Sequence, residues 1–209
     1  MGFAGAASPC GTIQQVIADV DLYLDLLRRW SGVQNLVSRE TLDQVWHRHV
    51  ADSLQLAPEV VAADRVLDLG SGAGFPALPL AIYFKGGPQQ FLLVESNRRK
   101  ASFLRTVIRE LRLTAEVYSS RIEAIRLERP PDVITARALA PLPRLLRMTD
   151  LHWGPATAGL FLKGREYVEE LVESRALWQF DVVDWPSATD PSGRVLKIEH
   201  LSMKAGSAV

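Results

Sequence analysis

The chain has 209 residues, 47% hydrophobic and 23% charged, and its 24 basic and 24 acidic side chains cancel to zero net charge. That is one domain of ordinary size, long enough to bury about 70% of its unfolded surface. Zero net charge argues against indiscriminate nucleic-acid binding, which needs an overall basic field, but leaves room for a local basic patch.

The opening "MGFAGAASPCG" has no basic start and no long apolar stretch, so it does not read as a signal peptide. Residues 1–11 are expected to be a disordered or frayed tail. The single cysteine, Cys10, excludes an intrachain disulfide and a cysteine-based metal site. No apolar run approaches the ~18 residues of a membrane helix, so a cytoplasmic protein is expected.

Ile13, Val16, Ile17, Val20, Leu24 and Leu27 recur at helical spacing, and Tyr23, Leu26 and Trp30 add a second stripe. This predicts a mostly buried helix over 12–31, a break near "SGVQNL", and shorter helices near 40–47 and 49–57. "NLVS", with Asn35, reads as a turn between helices. Residues 12–60 thus form a helical cap.

From Arg65 short β-prone runs alternate with helical ones: "RVLDLG", "LPLAIYF", "QFLLVE", "KASFLRTVIREL", "AEVYS", "DVITARA", "LPRLLRM", "GLFLKG" and "EYVEELVE". Such alternation means a parallel sheet with helices on both faces, here over residues 61–209. "WQFDVVDW" and "RVLKIEHL" follow without a helix between them and suggest a closing antiparallel pair.

"LDLGSGAGFP" is strand, glycine turn, helix. Gly70, Gly72 and Gly74 let a ligand lie against the backbone, and Pro76 suits the first turn of a helix. A dinucleotide fingerprint would need its third glycine at Phe75, and a P-loop would need a lysine that is absent. The spacing D-x-G-x-G-x-G from Asp68 instead resembles the first motif of class I, S-adenosylmethionine-dependent methyltransferases. Glu95 ends the second strand, where a carboxylate accepts bonds from both ribose hydroxyls. The competing reading is a generic strand–turn–helix with a surface Glu.

On the helix after Glu95, Leu104, Val107, Ile108 and Leu111 make the apolar stripe. Arg98, Arg105, Arg109 and Arg112 share another face. They read either as a solvated face or as a ridge that tracks RNA phosphates. Arg137 and Lys163 end the fourth and fifth strands, at the mouth of the site. His49, Asp52 and Ser53 lie too close together for a catalytic triad and read as a helix cap or a pocket wall. His47, His49, His152 and His200 are too scattered for a metal site to be argued, and no metal is expected.

"NLVS" (35–38), "HRHVADSL" (47–54), "LDLGSGAGFPALPLAI" (67–82), "ESNRRKASFLR" (95–105), "SRIE" (120–123), "ARALAPL" (136–142) and "LKGRE" (162–166) occur in that order. From about residue 22 to 201 this pattern resembles the RsmG family, also called glucose-inhibited division protein B. The resemblance implies a class I methyltransferase: a Rossmann-like α/β sheet with an N-terminal helical extension. It also implies transfer of a methyl group from S-adenosylmethionine to N7 of a guanine in a loop of small-subunit (16S) ribosomal RNA, free or within the 30S subunit, by a monomer.

Carried over residue by residue, the resemblance places Gly70 and Phe75 on the methionine side of the cofactor, with Asp68, Ser71, Gly72, Gly74 and Ser96 also in the cofactor site. Glu95 takes its ribose, and Ile122 and Glu123 flank its adenine. Arg137 bridges cofactor and substrate, with Arg121, Lys163 and His49 around the guanine or its phosphates. The chain departs from the family in Ala77, where a Gly is common, and in Glu95, where an Asp is common. A small-molecule methyltransferase and a non-catalytic cofactor-binding regulator are the alternatives.

Overall fold

The computed structural model describes residues 11–34 and 45–204. The tail expected over 1–11 therefore lies outside the described residues except for Gly11. The "NLVS" turn and the start of the helix expected near 40–47 lie outside them entirely.

Helix α1 spans Ile13–Gln34. It runs through the break expected at Ser31 and Gly32. A Cβ added at Gly32 would meet nothing within 4 Å, so this glycine marks an open surface rather than a helix stop. Val20, Tyr23, Leu24 and Leu27 are buried. Ile13 and Ile17 are 69% and 45% exposed, and at that end only Val16 packs against the core. The helix packs on α4 (Ala77–Tyr83) and α5 (Arg98–Leu111). The second cap segment is a π-helical turn, Trp46–Ala51, that runs straight on into α2, Asp52–Leu54; α3, Ala57–Val60, follows. The expected gap between two helices near residue 48 is thus absent.

Seven strands form one sheet: β1 Arg65–Leu69, β2 Gln90–Val94, β3 Ala115–Tyr118, β4 Val133–Arg137, β5 Ala158–Lys163, β6 Trp178–Pro186 and β7 Arg194–Met203. Their order is β3-β2-β1-β4-β5-β7-β6. The first five pair in parallel, and β7 runs antiparallel to both β5 and β6. The central strands are buried on both sides, so they read as continuous apolar runs rather than as alternation. α1, α4 and α5 cover one face around Phe91, Phe103 and Leu104. α6 (Leu142–Thr149) and α7 (Tyr167–Leu177) cover the other around Phe161, Leu145 and Trp178.

Chain order reverses between β1 and β4, so the crevice outside their carboxyl ends is where such sheets bind ligands. Asn97 opens α5 by accepting hydrogen bonds from the backbone N–H groups of Arg99 and Lys100 at 2.9 and 3.2 Å. The helix stops at Leu111, and Arg112 turns left-handed with φ 53°. Arg112 is therefore off the helical face that the sequence assigns it.

Candidate active site

The glycine loop leaves β1 with Gly70, Gly72 and Gly74 at φ of 64°, 57° and 102°, a region costly for any residue with a Cβ. A Cβ at Gly70 or Gly74 would strike Leu139 or Leu78. A Cβ at Gly72 would meet only the Gly70 carbonyl, at 3.6 Å, so its outer side is open for a ligand. The peptide between Phe75 and Pro76 is cis, and Pro76 caps α4 rather than occupying its first turn.

Glu95 holds this loop. Its Oε2 accepts the Gly72 N–H at 2.9 Å, and its Oε1 accepts the Asn97 N–H at 2.7 Å. Each carboxylate oxygen has room for about two such bonds, so each keeps capacity for a ribose hydroxyl. The Ser71 N–H donates to Val94 O at 3.0 Å, which ties the loop to the end of β2. From the cap, the buried Tyr23 hydroxyl donates to Ala73 O at 2.7 Å. Burial pushes the Tyr23 phenol well above its ordinary range, so it stays a donor.

Asp68 sits at the end of β1, buried. One of its carboxylate oxygens accepts from Thr135 Oγ1 at 2.8 Å. The other is buried without a partner among the described residues. Burial pushes its pKa up to about 7, against the hydroxyls of Ser71 and Thr135 and the charge of Arg137. A buried carboxylate with an unfilled acceptor suits a cationic ligand nearby. Together with the open side of Gly72 and the spare capacity of Glu95, it fits a cofactor that carries a ribose and a positively charged methionine portion. S-adenosylmethionine is such a cofactor.

Phe75 is the buried floor of the mouth. Its ring lies 5.5 Å from Tyr23 and 4.9 Å from His49, and the Arg137 guanidinium stacks 5.0 Å above it. Arg137 Nη1 lies 2.6 Å from His49 Nδ1, donates to Arg48 O at 3.3 Å and pairs with Asp52 Oδ2 at 3.5 Å. Nδ1 also lies 2.9 Å from Arg48 O, so the neutral ring either accepts from Arg137 or donates to that carbonyl, according to its tautomer. Burial, then the Arg137 charge, pushes His49 down to about 4. Burial also lowers Arg137 from its ordinary value, with Asp52 opposing. It remains a cation.

Lys163 turns inward. Its Nζ meets Glu170 Oε2 at 2.6 Å and donates to Ala140 O at 2.8 Å, and its side chain is only 8% exposed. The same Glu170 oxygen accepts the Leu142 N–H at 2.7 Å. This buried pair fixes the segment after β4, where Ala138 sits at φ 50°. Arg121 caps a 3-10 turn, Ile122–Ala124, and Glu123 lies within it; both side chains are exposed. Ile122 is buried there, and its carbonyl lies 3.1 Å from His152 Nε2. Ser96 is exposed next to Glu95.

The ridge on α5 is divided. Arg105 donates to Val117 O at 3.1 Å, Arg109 pairs with Glu110 at 2.9 Å, and Arg98 is exposed at the first turn. Arg48 and Arg165, which the sequence does not single out, are exposed close enough to Asp190 for their charges to lower its pKa, after its bonds to Ser192. A polar, open cavity of about 710 Å³ lies beside Arg65, Gln90 and Glu116 and shares no residue with the glycine loop.

Comparisons with known proteins identify the fold and the family. The O-methyltransferase from Bacillus cereus, solved with SAH, superposes with a TM-score of 0.56 at 14% identity, covering 91% of this chain and 93% of that one. M. jannaschii TYW2, solved with AdoMet, superposes at 0.57 with 14% identity over 75% of this chain and 76% of that one. These likenesses show the fold: a class I methyltransferase sheet with an N-terminal helix. The proteins called ribosomal RNA small subunit methyltransferase G from Methylobacterium nodulans and Cereibacter sphaeroides are closer in sequence. They are 47% and 42% identical over 90% and 86% of this chain, and the alignments cover 91% and 88% of those proteins. The model of the family described as rRNA small subunit methyltransferase G matches residues 16–192. The chain belongs to the rRNA small subunit methyltransferase G family.

Proposed function

We propose that this protein transfers a methyl group from S-adenosylmethionine to N7 of a guanine in a loop of small-subunit (16S) ribosomal RNA. The observation that carries this reading is the Glu95–Gly72 clamp, a nucleoside-type site, in a chain of this family. Gly70, Gly72, Gly74 and Phe75 would line the methionine half of the cofactor, Glu95 and Ser96 its ribose, and Ile122 and Glu123 its adenine. When bound, S-adenosylmethionine supplies an electrophilic methyl group.

Guanine N7 has a free lone pair and no proton, so this chain needs no general base. His49, with its pKa down to about 4, is neutral at working pH and is not called on to move one. What the residues supply is placement and dryness. Holding the reactants in line contributes roughly 7–11 kcal/mol when the geometry is right. Phe75, under Arg137 and His49, keeps water from the mouth. A bidentate Arg on O6 and N7 would block the nucleophile, so Arg137 and Arg121 contact O6 alone, a phosphate or the cofactor. The guanine must sit in an irregular loop, because the deep groove of an A-form helix hides N7. Arg98, Arg105, Arg109 and Arg112, with Arg48 and Arg165 on the other rim, offer contacts to backbone phosphates. The protein works in the cytoplasm as a monomer, and the reaction as written calls for no metal.

Labelled S-adenosylmethionine and unmodified small ribosomal subunits test the reading, with the digested RNA analysed by mass spectrometry. Labelled 7-methylguanosine at one site supports it. Cofactor binding without label in RNA refutes it and moves a small-molecule methyltransferase forward.

A further inference from the structure

Asp52 lies in the cap, buried, yet it joins three distant parts of the chain. Its Oδ2 faces Arg137 Nη1, at the end of β4, at 3.5 Å. Its Oδ1 accepts from Gln55 Nε2 at 2.7 Å, Thr189 Oγ1 at 2.8 Å and Ser187 Oγ at 3.1 Å. Gln55 completes the joint, because its Oε1 accepts the Ala188 N–H at 2.9 Å. Ser187 to Gly193 is the turn between β6 and β7, closed by the Ser187 N–H to Gly193 O at 3.0 Å. That turn stands beside the mouth because Arg194, the first residue of β7, is in register with Lys163, the last of β5.

A carboxylate with this many donors is a fastening, and one arm of it is electrostatic. During methyl transfer to N7 positive charge moves into the purine ring, next to a guanidinium that stacks on the floor of the same mouth. An unpaired cation there opposes the reaction; a paired one does not. We propose that Asp52 is a positioning residue for methyl transfer: it neutralises and aims Arg137 while it fastens the β6–β7 turn as the substrate-side wall. This rests on the proposed reaction at the same site.

Two variants separate the arms. Asp52→Asn keeps an amide oxygen for Gln55, Ser187 and Thr189 but turns an N–H donor toward Arg137. Ser187→Ala with Thr189→Val keeps the Arg137 pair and releases the turn. With labelled S-adenosylmethionine and small subunits at saturation, Asp52→Asn is expected to lower kcat at least tenfold. Its cofactor dissociation constant should stay within about threefold, with Tm little changed. The double variant is expected to raise KM for the subunit several-fold with kcat nearer wild type. A wild-type kcat in Asp52→Asn, or a loss matched by lost cofactor affinity, overturns the inference. So does a kcat loss in the double variant equal to that in Asp52→Asn.

A spectroscopic reading keeps this distinct from the reaction itself. The Arg137 guanidinium resonances should show hindered rotation in the wild type and averaged signals in Asp52→Asn. If the wild-type chain methylates no RNA, the proposed reaction fails on its own. An Arg137 side chain equally restrained in both proteins overturns the role given to Asp52, whatever the activity.

Discussion

Tyr23→Phe removes one atom from the seam between cap and glycine loop. The ring keeps its neighbours, Phe75 at 5.5 Å and Phe103 at 6.4 Å, so packing is held constant. What goes is the 2.7 Å bond to Ala73 O, a buried carbonyl left without its donor. Leaving such an acceptor unpaired costs about 1–3 kcal/mol. For a chain of this size that lowers Tm by roughly 3–9 °C. Ala73 lies between Gly72 and Gly74 in the loop, so cofactor binding should suffer too. Thermal unfolding with and without S-adenosylmethionine measures both effects. A cofactor at about 100 times its Kd adds about 2.7 kcal/mol to an intact site, and at the same concentration the variant should gain less. An unchanged Tm would refute the reasoning, because it would mean that the carbonyl is served by water and the cap does not hold the loop.

Gly72→Ala and Gly74→Ala should fail in different ways. Gly72→Ala costs about 1–2 kcal/mol of backbone strain but clashes with no side chain, so it should fold and lose at least tenfold in cofactor affinity by calorimetry. Gly74→Ala drives a Cβ into Leu78 and to 3.2 Å from Leu104, so it should show the larger fall in Tm; the reverse order would contradict the geometry. Asp68→Asn should change how apo stability depends on pH. With a folded pKa of about 7 against 3.8, Asp68 keeps a proton that the unfolded chain has released, so its contribution falls as pH rises from about 4 to 7. His49, at about 4 against 6.5, has the opposite sign, and its contribution is lost as pH falls through that window. The two partly cancel in the wild type, so Asp68→Asn should gain stability more steeply between pH 4 and 6.5. Parallel denaturant-unfolding curves for the two proteins would exclude this.

What the sequence made legible was local. The glycine turn and Glu95 lie at the ends of adjacent parallel strands, and short-range spacing is enough to pair them. Fold class followed from alternating runs, and the antiparallel end from two strands with no helix between them. What stayed hidden depends on partners that no local spacing rule brings together. Tyr23 reads as core by spacing; its hydroxyl matters only because Ala73 is there to receive it. Lys163 reads as a free cation at the mouth, and no spacing rule brings Glu170 to it. Asp52 looks like a helix-capping acid until the β6–β7 turn arrives. Helix ends misled for a different reason. Gly32 sits where nothing crowds it, so α1 continues, whereas Arg112 adopts a left-handed conformation that arginine rarely favours, so α5 ends one residue before the basic stripe does.

The joint at Asp52 also sets an order in time. Ser187 and Thr189 follow it by 135 and 137 residues, and the strand that carries their turn into register ends at Met203. A ribosome translating this chain releases the cap, the glycine loop and Glu95 long before it releases that turn. The emerging chain can bring Glu95 to the glycine loop while the turn that fastens Asp52 is still unmade. Contacts this distant in sequence close late in folding. A chain still being made can therefore set the clamp between Glu95 and Gly72 before Asp52 has its partners in the β6–β7 turn.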